Sequence, residues 1–320
     1  MTTHLNFITL DVFTTKTYEG NPLAVVFLPP HAEAKAQLTQ HQKQIIAREF
    51  NLSETIFVHA KSGTGETRTI DIFTESVELP FAGHPTIGAA SWFLVHAPDL
   101  EGNGVKKLLM KAGEVPIALQ QDSNSSGIGV ITAHVAHNVR RHKTQFPLNE
   151  TLRLHPSLER YLVPESITLF SVVKGMSQLL VELPSVEALG AVATAIGGQE
   201  ASALYLDEGW AEGMVSTYFF VRDVEDEKLG KKVIRTRTIL GNHEDPATGS
   251  AASGLAACLS LSEGRTGRFV YDIVQGVEMG RRSEIGVEVE IKESGKIESL
   301  MLKGTAVKVS EGRVLIPPAV

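Results

Sequence analysis

The 320-residue chain has a single cysteine, Cys258, which excludes an internal disulfide, a cysteine-type zinc site and a catalytic pair of thiols. Long apolar runs are missing too. Stretches such as Leu23 to Leu28 fall far short of the roughly 18 residues that suggest a membrane span. The opening residues, Met1-Thr2-Thr3-His4-Leu5-Asn6, have neither the basic start nor the apolar stretch of a signal peptide. No block of lysine or arginine occurs, and 30 basic against 37 acidic residues give a net charge of −7, a poor match to a phosphate backbone. The expectation is therefore a soluble, cytoplasmic protein with no nucleic-acid or membrane partner. Hydrophobic residues make up 42% of the chain, enough to pack a core and too many for a disordered chain. At about 150 residues per domain the length suggests two domains.

Short strands mixed with a few helices run through both halves in the same order. Leu5–Val12 and Leu23–Leu28 read as strands, and Ala34–Phe50, free of glycine and proline, reads as a helix. Thr55–His59 and Thr67–Phe73 read as a strand pair, followed by a helix opened by Pro85 and ended before Pro98. In the second half, strands at Ile167–Val173 and Gln178–Leu183 precede a helix over Ser185–Ile196. Strands at Ala203–Leu206, Thr217–Val221 and Val233–Ile239 follow, and Pro246 opens a helix to about Leu261. Pro85 and Pro246 lie 161 positions apart (246 − 85), and Leu5 and Ile167 lie 162 apart (167 − 5), which suggests a duplication. The expected division is 1–145 and 146–320, with the last strands able to pack back on the first half and His134–Glu165 as a solvated connection. Antiparallel strand order with few helices predicts an α+β fold rather than a doubly wound parallel sheet.

The two Pro-initiated helices lack a polar face, as in Ala89, Ala90, Trp92, Phe93 and Leu94 or Ala251, Ala252, Leu255 and Ala256, so both are expected to be buried. Their small residues predict a sheet wrapped closely around a central helix in each half. The start of each helix leaves peptide N–H groups without intrahelical partners and carries about half a positive charge. Gly83, Gly88, Gly249 and Ser250 leave room there for a ligand carboxylate. Ordinary capping by His84 and Asp245 is the plainer alternative.

Glu54 stands at the entry of a strand, on the same side as Ile56 and Val58, while the apolar Phe57 is on the other. Pointing inward, it is a candidate general acid/base; pointing outward, it is an ordinary edge-strand glutamate. The matching strand of the other half, placed near Ser202–Tyr205, offers no carboxylate, so the duplicated scaffold predicts one base rather than two.

Asp11-Val12-Phe13, Gly20-Asn21-Pro22-Leu23-Ala24-Val25, Ser53-Glu54-Thr55-Ile56-Phe57, Phe81-Ala82-Gly83-His84-Pro85-Thr86 and Glu244-Asp245-Pro246-Ala247-Thr248-Gly249-Ser250-Ala251 together resemble the PhzF-like, phenazine-biosynthesis family. Gln275-Gly276 and Gly280-Arg281 resemble a further segment of it. The resemblance implies a diaminopimelate epimerase-like fold of two similar halves with the site in the cleft between them, in a homodimer. It also implies a cofactor-free isomerisation in which a glutamate, here Glu54, moves a proton between carbons of a small carboxylate-bearing substrate. By the same resemblance His84 and Asp245 contact the substrate's polar groups, and Gly83, Gly249 and Ser250 help to hold its carboxylate. Asn21 and Thr248, in the same motifs, complete the candidate binding set. Two features depart from the family pattern: Arg282 stands where proline is common, and Asp223–Lys232 is a long charged insert.

Related enzymes of this fold use two thiols, which Ala82-Gly83-His84 and Ala247-Thr248-Gly249 do not supply. A racemase using Glu54 and His84 as bases, or a non-catalytic binding protein on the same fold, are the alternatives to an isomerase. Gly63-Thr64-Gly65-Glu66-Thr67 lacks a phosphate-loop lysine and reads as a hairpin turn. His134, His137, His142 and His155 lack a completing carboxylate or cysteine, so no metal site is expected. Ser250 lacks nucleophile-elbow spacing, and Arg235 and Arg237 are expected to face solvent, though either could reach the cleft.

Overall fold

Alternating leucine, isoleucine and valine carry the first strand, His4–Val12, between two antiparallel neighbours, Asn21–Phe27 and the last strand, Ala306–Leu315. The structure, a computed structural model, describes residues 3–30, 38–61, 65–98, 102, 104–120 and 129–318. The chain divides into two units, Met1–His134 with Lys303–Val320, and Val135–Leu302.

In the first unit Asn21–Phe27 runs parallel to Glu54–Val58, which is antiparallel to Thr67–Phe73. Thr67–Phe73 pairs in parallel with Lys107–Met110, and Gly113–Gln120 and Val130–His134 continue antiparallel. Helix α1, Gln40–Phe50, starts at a capping box between Thr39 and Gln42 and stops at Asn51 in the left-handed conformation. Positions 34–37, expected in this helix, lie outside the described residues, as do 62–64, which take in part of the expected Gly63–Thr67 turn. Helix α2, Gly83–Ser91, is buried along its whole length and touches strands across the sheet, from Val130–His134 to Ala306–Leu315. A π-helical turn, Trp92–His96, ends it ahead of Pro98. Gly88 sets its distance from the sheet: a Cβ there would lie 2.3 Å from Leu23 Cδ2 and 3.0 Å from Val12 Cγ2. The expected close approach of small residues is what the packing uses.

The second unit repeats the pairing order. Ile167–Val173 and Met176–Glu182 are antiparallel, Met214–Asp226 joins in parallel, and Lys231–Leu240 is antiparallel to it. Gly267–Gln275 then adds in parallel and Ser283–Ile291 antiparallel. Both units thus follow the same succession of antiparallel and parallel steps, as a duplication requires. The helices here are α3 (Leu148–Leu154), α4 (Val186–Gly190) and α5 (Gly249–Ser262), and α5 packs against strands of this sheet. Gly254 occupies the same place in α5 as Gly88 in α2, five residues after the first.

Several sequence expectations are corrected. His134–Glu165 is not a solvated connection: Phe146, Leu154, Leu158 and Leu162 are buried in the core with Leu169, Leu179 and Phe219. An apolar stripe at four-residue spacing outweighs the charges and prolines around it. Ala203–Leu206 is a 3₁₀ turn at Ala203–Tyr205 with Leu204 exposed, not a strand. Pairing order makes Met214–Asp226 the counterpart of Glu54–Val58, and its buried stretch Val215–Val221 carries no carboxylate. The helix expected over Ser185–Ile196 stops at Gly190, because the next carbonyls turn elsewhere: Val192 O accepts from Arg237, and Ala193 O from His155. Pro85 is the third residue of α2, while Pro246 precedes α5, which opens at Gly249.

Candidate active site

Strand Glu54–Val58 is covered on both faces. Phe57 packs with Ile46, Ala47 and Phe73 on the side of α1, so period-two alternation turns Glu54, Ile56 and Val58 toward α2. That settles the face that the pattern left open. Glu54, its side chain 15% exposed, places Oε2 3.2 Å from Nδ1 of His84, which is 3% exposed. Asn21 Nδ2 lies 3.5 Å from the same Nδ1, and Asn21 Oδ1 accepts from Ser53 Oγ at 3.1 Å. A protonated Nδ1 donates to the Glu54 carboxylate and not to the amide, because the Asn21 N–H is itself a donor and can pair only with an unprotonated ring nitrogen. Asn21, Glu54, Gly83 and His84 therefore meet in the first unit. The loop into Asn21 is fixed by the buried Asp11, whose Oδ2 accepts from the Tyr18 N–H at 2.5 Å.

Helix α2 opens after Ala82 with no side-chain cap and no acidic residue in its first turn. Helix α5 opens after Thr248, likewise without a side-chain cap. Neither helix is thus capped by the side chain of the residue it opens from. Asp245 accepts through Oδ2 from the Thr248 hydroxyl at 2.6 Å, which brings Asp245, Thr248, Gly249 and Ser250 together at the start of α5. Their positive peptide ends leave both helix starts suited to anions.

Sequence reasoning missed the supporting polar groups. Ser53, Tyr218, Thr236, Thr238 and Gln275 all hold site residues or one another through side-chain hydrogen bonds. The signals were a Thr-x-Thr alternation on one strand and the Gln275-Gly276 segment. Arg235 and Arg237 do not face solvent: Arg235 pairs with Glu278 at 2.7 Å, and Arg237 makes a bidentate pair with Glu244 at 2.7 and 2.6 Å. The two departures from the family pattern are each other's partners, for Arg282 grips Asp226 of the charged insert at 2.8 and 2.9 Å.

The histidines are placed apart from any metal arrangement, and among the described residues no three His, Cys, Asp or Glu side chains are grouped to hold a metal ion. His142 and His155 are buried. His142 Nδ1 accepts from the Asp207 N–H at 3.0 Å, so its proton is on Nε2 and goes to Ser171 Oγ at 2.7 Å. That tautomer cannot activate the serine, which rules out a nucleophilic triad there. Burial holds both histidines below the usual imidazole pKa. Below about pH 6.5 the unfolded chain takes up protons that the folded chain refuses, so stability is full above that pH and falls as the pH drops. We expect the thermal midpoint to fall between pH 7 and pH 5, and to fall less in His155→Gln. An equal fall in the variant would remove His155 from this explanation.

Cys258 sits well inside α5, buried, with Arg141 Nη2 3.0 Å from its sulfur and its thiol pKa pushed up by burial. No helix among the described residues is long and apolar enough to cross a membrane.

In each unit, strands in mixed parallel and antiparallel pairing pack on a buried helix whose N-cap side chain makes no cap, a diaminopimelate epimerase-like α+β fold. The crystal structure of the Bacillus anthracis phenazine biosynthesis protein of the PhzF family has it: TM-score 0.72, 22% identity, covering 98% of this chain and 99% of that one. The family model for phenazine biosynthesis-like proteins matches residues 10–312, and the chain belongs to that family. An uncharacterized isomerase of Mesorhizobium japonicum is 32% identical over 313 residues, 97% of this chain and 99% of the relative. The trans-2,3-dihydro-3-hydroxyanthranilate isomerase of Pseudomonas fluorescens is 30% identical over 329 residues, again 97% and 99%.

Proposed function

We propose that this protein is an isomerase that moves a proton between carbons of one small, carboxylate-bearing molecule, with Glu54 as the acid/base and no cofactor. The observation that carries this reading is the Glu54–His84 contact of 3.2 Å beside the uncapped start of a buried helix. Glu54 takes the proton from an activated carbon and returns it to another. Peptide N–H groups at the helix start stabilise the charge that develops as the proton leaves. Asn21, Gly83 and His84 of the first unit, and Asp245, Thr248, Gly249 and Ser250 of the second, are the proposed substrate-binding groups. A cytoplasmic homodimer completes the reading.

The racemase alternative asks for two bases on opposite faces of one carbon. Glu54 and His84 touch each other, so they act from one side and do not fit that role. Support for the isomerase also comes from the relatives named isomerases. The test is proton NMR in D2O on a panel of small carboxylates, trans-2,3-dihydro-3-hydroxyanthranilate first and several amino acids included. The expected result is solvent deuterium at an isomerised carbon of at least one panel member. Uptake only at an amino-acid α-carbon would favour the racemase, and uptake no faster than in a protein-free control across the panel would favour a non-catalytic protein.

A further inference from the structure

Gln275 ends the strand Gly267–Gln275 with its side chain wholly buried. Two neighbours fix which way its amide faces. The Asp245 carbonyl can only accept and lies 2.7 Å from Nε2, while the Thr248 N–H can only donate and lies 3.3 Å from Oε1. Nε2 also meets Thr238 Oγ1 at 3.0 Å and Thr248 Oγ1 at 3.1 Å. Oε1 accepts further from the hydroxyls of Tyr218 at 3.2 Å and Thr236 at 3.4 Å.

The proton count gives the chain a direction. Thr248 has one hydroxyl proton, and the Asp245 carboxylate at 2.6 Å is its strongest acceptor. The lone pairs of Thr248 Oγ1 then accept from Gln275 Nε2 and from the Thr238 hydroxyl, 2.7 Å away. Gln275 therefore holds Asp245 twice, directly at its carbonyl and through Thr248 at its carboxylate. It also takes up the N–H of Thr248, the residue from which α5 departs. A glutamine only filling the core would not need every one of these groups in a single orientation.

We propose that Gln275 is a positioning residue for substrate binding: it sets the Asp245 carboxylate and the opening peptide groups of α5 toward a carboxylate-bearing ligand. The proposal rests on the reading of Asp245 as a substrate-binding group. Replacement by glutamate keeps the shape, but the ionised side chain has no donor for the Asp245 carbonyl or Thr248 and brings a second negative charge against Asp245.

The test uses 3-hydroxyanthranilate, an aromatic amino-carboxylate, as probe. Calorimetry on the full chain gives Kd and stoichiometry for the wild type, Asp245→Asn, Gln275→Glu and Thr238→Val. Expected is a rise in Kd of about tenfold or more for Gln275→Glu, and about threefold for the milder Thr238→Val, at unchanged stoichiometry. Thr238→Val carries the comparison alone if Gln275→Glu does not fold. A loss of sites at unchanged Kd, or wild-type Kd in the variants that fold, would reduce Gln275 to a stabilising core residue. Absence of binding by the wild type, or wild-type Kd in Asp245→Asn, would instead overturn the reading of Asp245 on which the proposal rests.

Discussion

Arg237→Met is expected to destabilise the protein by about 3–5 kcal/mol, the range for breaking a buried ion pair from one side. Arg237 is 7% exposed. Besides the bidentate pair with Glu244, its Nη1 donates to Leu189 O at 3.0 Å and Val192 O at 2.8 Å. Methionine replaces the apolar stem but leaves the Glu244 carboxylate and the Val192 carbonyl without the arginine donor, while Leu189 O keeps the Val192 N–H at 3.2 Å. Out of a total stability of about 5–15 kcal/mol such a loss is large. Urea unfolding should show a much lower midpoint at an unchanged slope. Removing the charge of Glu244 as well, in Arg237→Met/Glu244→Met, should restore part of the loss, since an apolar pair of similar volume often substitutes for a buried ion pair. A single-variant loss below about 1 kcal/mol would mean that the pair behaves as an exposed one. The pair matters for the site because Glu244 precedes Asp245 on the short strand His243–Asp245, which is paired with Lys231–Leu240.

Most of the architecture was legible in the sequence because it is written twice. The 161- and 162-residue offsets foretell two units, and the identical order of parallel and antiparallel steps is the physical form of that repeat. Burial of α2 and α5 was legible because neither has a polar face. The candidate residues stood out where charge and glycine mark them: Glu54, Gly83 and His84 in one unit and Asp245 in the other stand in motifs whose residue types have few bland uses together.

What stayed hidden depends on partners far away in sequence. Alternation along Lys231–Leu240 looks the same whether one face meets water or a wall of carbonyls, so Arg237 read as solvated. Its acceptors at 189 and 192 are brought to it only by the fold. His142 and His155 sit among charged residues in sequence but among apolar ones in space, His155 against Phe219 and His142 against Trp210. Gln275 has neither charge nor periodicity to mark it. Only the simultaneous reach to Asp245, Thr248, Thr238 and Tyr218 shows what it holds.

The second large effect is expected at Glu54. Glutamine keeps the volume and one carbonyl oxygen of the side chain, so the buried strand and the neighbouring His84 should stay in place and the thermal midpoint should hardly move. What glutamine cannot do is accept a proton from carbon at neutral pH. General acid/base catalysis by one placed group contributes about 10²–10⁴-fold to rate, and the loss should fall in that range and in kcat, with KM changed far less. The carboxylate at this position, moved back by one methylene in Glu54→Asp, should retain more activity than the amide.

The decisive measurement is the rate at which a turned-over carboxylate substrate gains solvent deuterium in D2O with Glu54→Gln and with the wild type, at matched folded protein. Exchange should drop at least a hundredfold in the variant, together with isomerisation. Exchange and isomerisation at the wild-type rate in a folded Glu54→Gln would show that another group carries the proton.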